Sequence, residues 1–205
     1  MGLISNGTTL LDAGALDSGV ATGSMVLIKT LTASSSATLS FLNGADSVVF
    51  DGTYKEYEFH CIDIHPATDG TPLTFQVDTG TNTNYNITVT NQFFRSRHNE
   101  ADTIASVGYE TNYDQADGTD FVRMNGGVGN GNDESAYTVL SIFEPANTTF
   151  QKHFQFTGSN YQDNSGAENL FSTGYFNTTT ALTRIQFKMG SGNIDSGTIK
   201  MYGIK

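Results

Sequence analysis

Thr149-Phe-Gln-Lys-His-Phe-Gln-Phe-Thr157 sets Phe150, Phe154 and Phe156 on one side with Lys152 and leaves Gln151, His153 and Gln155 on the other. Successive side chains of a strand point to opposite faces, so a period of two predicts a half-buried β-strand rather than a helix. Thr183-Arg-Ile-Gln-Phe-Lys-Met189 repeats the pattern, with Ile185, Phe187 and Met189 alternating with Arg184, Gln186 and Lys188. These two rows place Phe150, Phe154, Phe156, Ile185 and Phe187 in the expected core. Leu73, Phe75 and Val77 form another inward row, as do Tyr85, Ile87 and Val89. The turn-rich Asp78-Thr-Gly-Thr-Asn-Thr-Asn84 between them predicts a hairpin.

Working outward, further strands are expected at Met25 to Leu31, Ala37 to Phe41, Tyr54 to Ile64, Phe121 to Met124, Ala136 to Phe143 and Gly197 to Ile204. Tyr57, Phe59 and Cys61 share a face, but Ile62 and Ile64 take the opposite one, so the alternation slips near Cys61 as a bulge or a doubly buried strand would make it. No segment keeps helical spacing, and a single turn around Glu100 to Ser106 is the most that is expected. About nine strands without intervening helices predict an all-β chain, a single antiparallel β-sandwich of jelly-roll type. The sandwich is expected to occupy residues 24–205. Residues 1–23 mix apolar and turn residues at no clear period and read as an N-terminal arm or docking segment, or as short edge strands. Asn91 to Gly118 and Gly126 to Ser135 read as long loops, which compact domains tend to keep for contacts.

Composition sets what such a fold is for. The chain has 205 residues, of which 37% are hydrophobic and only 15% charged, against about 25% charged in typical soluble domains. Ten Lys and Arg against 21 Asp and Glu give a net charge of −11. With no basic cluster, a nucleic-acid partner is not expected. No apolar run approaches the roughly 20 residues of a membrane span, and Met1 to Val20 lacks the basic and apolar regions of a secretory signal, so neither a membrane nor a secretory route is expected. Cys61 is the only cysteine, which rules out an internal disulfide and a cysteine-based zinc site within one chain. Its strand-like surroundings predict a buried small hydrophobe.

Candidate chemistry is sparse. His60, His65, His98 and His153 include no H-E-x-x-H spacing, so no metal site is expected. Gly23-Ser-Met and Gly190-Ser-Gly192 lack the flanks of a nucleophile elbow. Asp69, Asp78, Asp114, Asp117 and Asp120 lie in expected loops and read as solvated charges. Gly126-Gly-Val-Gly-Asn-Gly-Asn-Asp133 resembles one unit of a glycine-rich calcium repeat, but Gly131 replaces the ligating Asp and the unit occurs once. The expectation is a chain that is not an enzyme, with no catalytic, cofactor-binding or metal residues and no cofactor.

The opening Leu3-Ile-Ser-Asn-Gly-Thr-Thr-Leu-Leu-Asp-Ala-Gly14, the central Tyr54-Lys-Glu-Tyr57 with Ile64-His-Pro-Ala-Thr-Asp-Gly70, and the closing Ser191-Gly-Asn-Ile-Asp-Ser-Gly-Thr-Ile-Lys-Met-Tyr-Gly-Ile-Lys205 carry a further signal. Together they resemble structural proteins of tailed phages of marine bacteria, cyanophages included. The resemblance implies a virion protein assembled in the bacterial host cytoplasm and partnered by other virion proteins of capsid or tail. It also implies a homo-oligomer, with a trimer favoured. A surface accessory role is expected, as a capsid decoration or head-fibre-like protein. The alternative is a tail-associated receptor binder that contacts host surface glycan through loops carrying Tyr109, Tyr113 and Tyr161.

Overall fold

The computed structural model describes residues 3–5, 8–12, 15–16 and 24–205, and all regular elements there are strands. β1 (Leu3–Ser5), β2 (Thr8–Asp12) and β3 (Ala15–Leu16) form a three-stranded antiparallel sheet of their own. The other residues of the expected arm, 1–2, 6–7, 13–14 and 17–23, lie outside the described residues. The rest is two antiparallel sheets packed as a sandwich. The large one runs β10 (Gln115–Gly118), β8 (Val89–Asn99), β14 (Gly166–Phe176), β13 (Lys152–Gln162), β12 (Ala136–Phe143), β6 (Glu56–Pro66), β16 (Ile194–Ile204) and β4 (Met25–Thr32). β9 (Ala105–Tyr109) also pairs with β8, on the side away from β14. The small sheet runs β11 (Val122–Arg123), β7 (Leu73–Thr79), β15 (Leu182–Met189) and β5 (Leu39–Leu42).

Eight strands nest. Taken in chain order, β4 pairs with β16, β5 with β15, β6 with β12 and β7 with β11, so first meets last and the innermost two meet each other. That nesting, which alternates between the sheets, is compatible with the jelly roll expected from the sequence. Two insertions lie outside it: β8 to β10 between β7 and β11, and the hairpin β13–β14 between β12 and β15. Both extend the large sheet beyond β12.

The core is aromatic. Phe75 of β7 sends its ring across the interior to Phe154, Phe156 and Phe176 of the large sheet, at 5.3, 6.2 and 6.0 Å between centroids. Phe41 and Phe187 of the small sheet meet Phe59 of β6 at 5.3 and 5.6 Å. These rings are buried, as are Ile185 and Cys61. The slip near Cys61 is a bulge: β6 shifts register against both β12 and β16, and Asp63 takes φ of +52°. Opposite it Gly197 sits at φ +119°, where a Cβ would come within 2.6 Å of the Asp63 carbonyl, so only glycine lets β16 pass.

Several expectations fail for physical reasons. Phe150 is 65% exposed, because β13 begins at Lys152 and the Asn147 side chain turns the chain before it by accepting from the amides of Thr149 and Phe150. The hairpin over 73–89 is absent: β7 pairs with β15 and β11 instead. Segment 80–88 crosses the outer side of the small sheet, where Gln76 donates to the Ile87 carbonyl and the fully buried Asp78 accepts from the amides of Thr79 and Tyr85. Asp78 is therefore a structural acceptor, not a solvated charge. Asn91 to Gly118 is no loop, since it holds most of β8 and all of β9 and β10. β14 is an unexpected strand, and residues 100–102 make a simple turn without helix.

Truncation of Phe75 to Ala removes the ring shared by both sheets and is expected to cost about 3–5 kcal/mol, read as a lower urea midpoint. Tyr57 supplies a pH test. Burial, with Asp51 adding, pushes its phenol from 10.0 up to about 12. The hydroxyl finds no hydrogen-bond partner. A raised folded value means that stability is intact below the unfolded value and falls as pH rises from about 10 to about 12. In Tyr57→Phe that alkaline loss should shrink, with stability at neutral pH unchanged or higher.

Candidate functional site

The three tyrosines expected to make loop contacts are not brought together. Tyr109 lies on β9, 44% exposed, edge-on to Phe94 at 5.3 Å, with its hydroxyl donating to Asp114 at 2.5 Å. That bond raises its pKa above the ordinary tyrosine value. Tyr161 sits near the end of β13, where its hydroxyl donates to Glu100 at 3.3 Å and its amide is held by the Ser135 carbonyl. Tyr113 is packed, not presented. Its ring lies beneath Arg123 at 3.9 Å and Arg95 at 4.8 Å and meets Phe93 edge-on at 5.3 Å.

Tyr113 belongs to a charged cluster on the inward side of β8 and β14. Arg95 donates to Glu110 at 2.7 Å, to Glu168 at 3.0 Å and to the Tyr113 hydroxyl at 3.2 Å. Burial opposes the Arg95 charge, but the bonds to Glu110 and Glu168 outweigh it and hold its pKa above the usual arginine value. Glu168 is fully buried and also accepts from the Gly126 amide at 2.7 Å. Arg123 donates to the carbonyls of Asn125 and Gly126, and Asn160 to that of Gly127. Apart from Arg95–Glu168, which joins β8 to β14, these contacts tie the irregular stretches around 110–113 and 124–129 over the extended part of the large sheet. The cluster is structural: coil that covers a sheet has backbone groups to satisfy, and these side chains satisfy them.

Several other ionisable groups are similarly occupied. Cys61 is buried and its thiol pKa pushed up by desolvation. His60 bonds Glu58 at 2.9 Å, His65 the Glu134 carbonyl at 2.8 Å and His98 Asp102 at 3.0 Å. Lys152 is fully enclosed, with Nζ donating to the Phe150 carbonyl at 2.8 Å and, at 3.4 Å, to that of Thr179, and burial lowers its pKa. Among the described residues no three His, Cys, Asp or Glu side chains gather where a metal ion could be held.

A different surface stands out. Alternate residues of the large sheet point away from the sandwich. Along β13 these are His153, Gln155, Thr157, Ser159 and Tyr161; along β14 they are Ala167, Asn169, Phe171, Thr173 and Tyr175. Across β8 they are Thr90, Gln92, Phe94, Ser96 and His98, and across β12 Tyr137, Val139, Ser141 and Phe143. None is Asp, Glu, Lys or Arg, in a chain with 31 of them. Charge returns on β6 and β16, with Glu56, Glu58 and Lys200 and with the exposed Asp63 and Asp195. Phe171 and Phe94 are direct cross-strand partners, each 46% exposed, and Tyr137 is 44% exposed.

The same face is hollowed. A depression of about 450 Å³ lies among His153, Gln155, Thr173, Tyr175 and Gln92. One of about 300 Å³ follows between Glu58, Val139, Ser141, Gln155, Thr157 and Phe171. A third, of about 360 Å³, lies among Ser96, Arg97, His98, Ser159, Glu168 and Asn169. They succeed one another along β13, whose outward residues His153 to Tyr161 span about 27 Å at roughly 3.4 Å per residue. The sequence carries the signal, as missing charge at alternate positions, but it is legible only once β8 and β14 are known to be strands.

Glu168→Ala would leave the buried Arg95 guanidinium and the Gly126 amide short of a partner, and is expected to cost about 3–5 kcal/mol. Glu110→Ala, at the more exposed end of the cluster, should cost less, measured by thermal or urea unfolding of both variants.

No family model, curated protein or solved structure matches the chain.

Proposed function

We propose that the protein is a non-enzymatic structural component of a tailed-phage virion, displayed on the particle surface as a capsid decoration or head-fibre-like accessory protein. The observation that carries this reading is the division of labour among side chains. Its ionisable clusters are spent on holding irregular chain in place, while one broad, rigid sheet face is left open and uncharged. A protein that acts through shape keeps such a face; an enzyme needs titratable groups converging on a pocket. The nested strand order adds support, because two-sheet jelly rolls recur in capsid and lectin domains. The resemblance of the chain's ends and centre to virion proteins supplies the biological setting. Other virion proteins are its partners, and a symmetric homo-oligomer, a trimer by preference, is its working form.

A second reading, a tail-associated receptor binder, is favoured by one observation: Phe94, Phe171 and Tyr137 stand half-exposed on that uncharged face. Apolar rings are left in water at such density where a partner covers them. Cryo-electron microscopy of intact particles that carry this chain separates the two. Density on the head supports the accessory role and density at the tail tip the receptor role. Absence of the chain from the purified particle contradicts both. Host lipopolysaccharide incubated with the purified protein should keep its length, and shortening would identify an enzyme instead.

A further inference from the structure

We infer that the hollowed outward face of β12, β13, β14 and β8 is a binding groove for an extended neutral saccharide chain lying along β13. The inference rests on the reading of the protein as a non-enzymatic surface module and names the ligand class of that surface. Three features of the face decide the chemistry. First, it lacks Asp, Glu, Lys and Arg across four strands. An anionic polymer would be drawn by Lys or Arg and is opposed by the net charge of −11, and a cationic partner would be drawn by Asp or Glu. The charged side chains that border the hollows are already bonded, Glu58 to His60 at 2.9 Å, Glu168 to Arg95 at 3.0 Å and Arg97 to Ser106 at 3.1 Å, so a neutral ligand meets no unpaired charge that would have to be desolvated.

Second, the floor is hydroxyl and carboxamide, from Gln155, Thr157, Thr173, Ser159 and Asn169. Such groups both donate and accept, which suits sugar hydroxyls that do the same. Gln92 lines the first hollow, its amide donating to Thr173 at 3.0 Å. Third, aromatic rings flank this floor. Phe171 and Phe94 stand on one side and Tyr137 on the other, placed to pack against the apolar C–H faces of sugar rings.

A second copy of the chain fits this face poorly. Two identical hollowed faces would meet at their rims and enclose the three depressions as voids, forfeiting the contacts that hold an interface together. A linear chain fills a trough of this kind along its length. The expected ligand is therefore a neutral polysaccharide segment rather than a lone monosaccharide.

The test is titration calorimetry of the full-length protein with neutral linear hexasaccharides of glucose, mannose, galactose and N-acetylglucosamine, with an oligomer of a uronic acid as the charged control. At least one neutral oligomer should bind and the uronic acid oligomer should not. Phe171→Ala should weaken binding by about tenfold, as loss of one stacking contact does. Thr157→Lys should weaken it comparably by placing a charge on the floor. Both positions are exposed, so the fold should survive, and unchanged urea midpoints would check that. Binding to none of the neutral oligomers, binding indifferent to both variants, or preference for the uronic acid oligomer would overturn the proposal. So would self-association of the protein abolished by the same two substitutions. The virion reading would stand in each of those cases, because it depends on where the chain sits on the particle.

Discussion

A four-stranded sheet cannot cover a nine-stranded one, and most of this molecule follows from that mismatch. Where the sheets overlap, packing is apolar and simple: Phe75, Phe41 and Phe187 reach from the small sheet into Phe154, Phe156, Phe176 and Phe59. Beyond the overlap, β8 and β14 still have an inward side that must leave water. The irregular stretches around 110–113 and 124–129 cover it, and coil brings backbone amides and carbonyls that need partners. Arg95, Glu168, Arg123 and Asn160 supply them, which explains why the chain buries Arg95 against Glu168 beside a largely aromatic core.

The same mismatch exposes the face read here as functional. The outer side of the small sheet is closed by segment 80–88, pinned through Gln76 and Asp78. Among the described residues the outer side of the large sheet has no such cover, and its inserted strands widen it beyond what the nested eight require. β8 and the β13–β14 hairpin fall outside that nesting, and together they carry most of the uncharged positions. Added strands without added charge make a broad surface that costs little to desolvate.

How much of this the sequence reveals depends on which residues point inward. Ala136 to Phe143 is found with its true bounds because apolar Leu140 and Ile142 alternate cleanly. The slip at Cys61 is visible as two apolar residues of opposite parity. β14 escapes because its inward residues include Glu168 and Ser172 while Phe171 points outward, which inverts the usual pattern. β8 escapes likewise, since Asn91, Arg95 and Asn99 take three of its buried positions beside Val89 and Phe93. Phe150 has the right parity but precedes the strand. Among the tyrosines, Tyr113 shows the general difficulty: a loop aromatic looks available until its loop is folded back onto the sheet by Arg95 and Arg123. The uncharged face could not be assembled before those two polar strands were placed.

The central claim, that the outward face of β12, β13, β14 and β8 is where this protein meets its partner, is tested most directly by amide chemical-shift mapping. The labelled protein would be titrated with neutral host surface polysaccharide. Shifts are expected at Gln155, Thr157, Phe171 and Phe94, tracing β13 from end to end, with residues 126–135 and the free edges at β4 and β5 unmoved. Shifts confined to residues 126–135 or to those edges would contradict the claim.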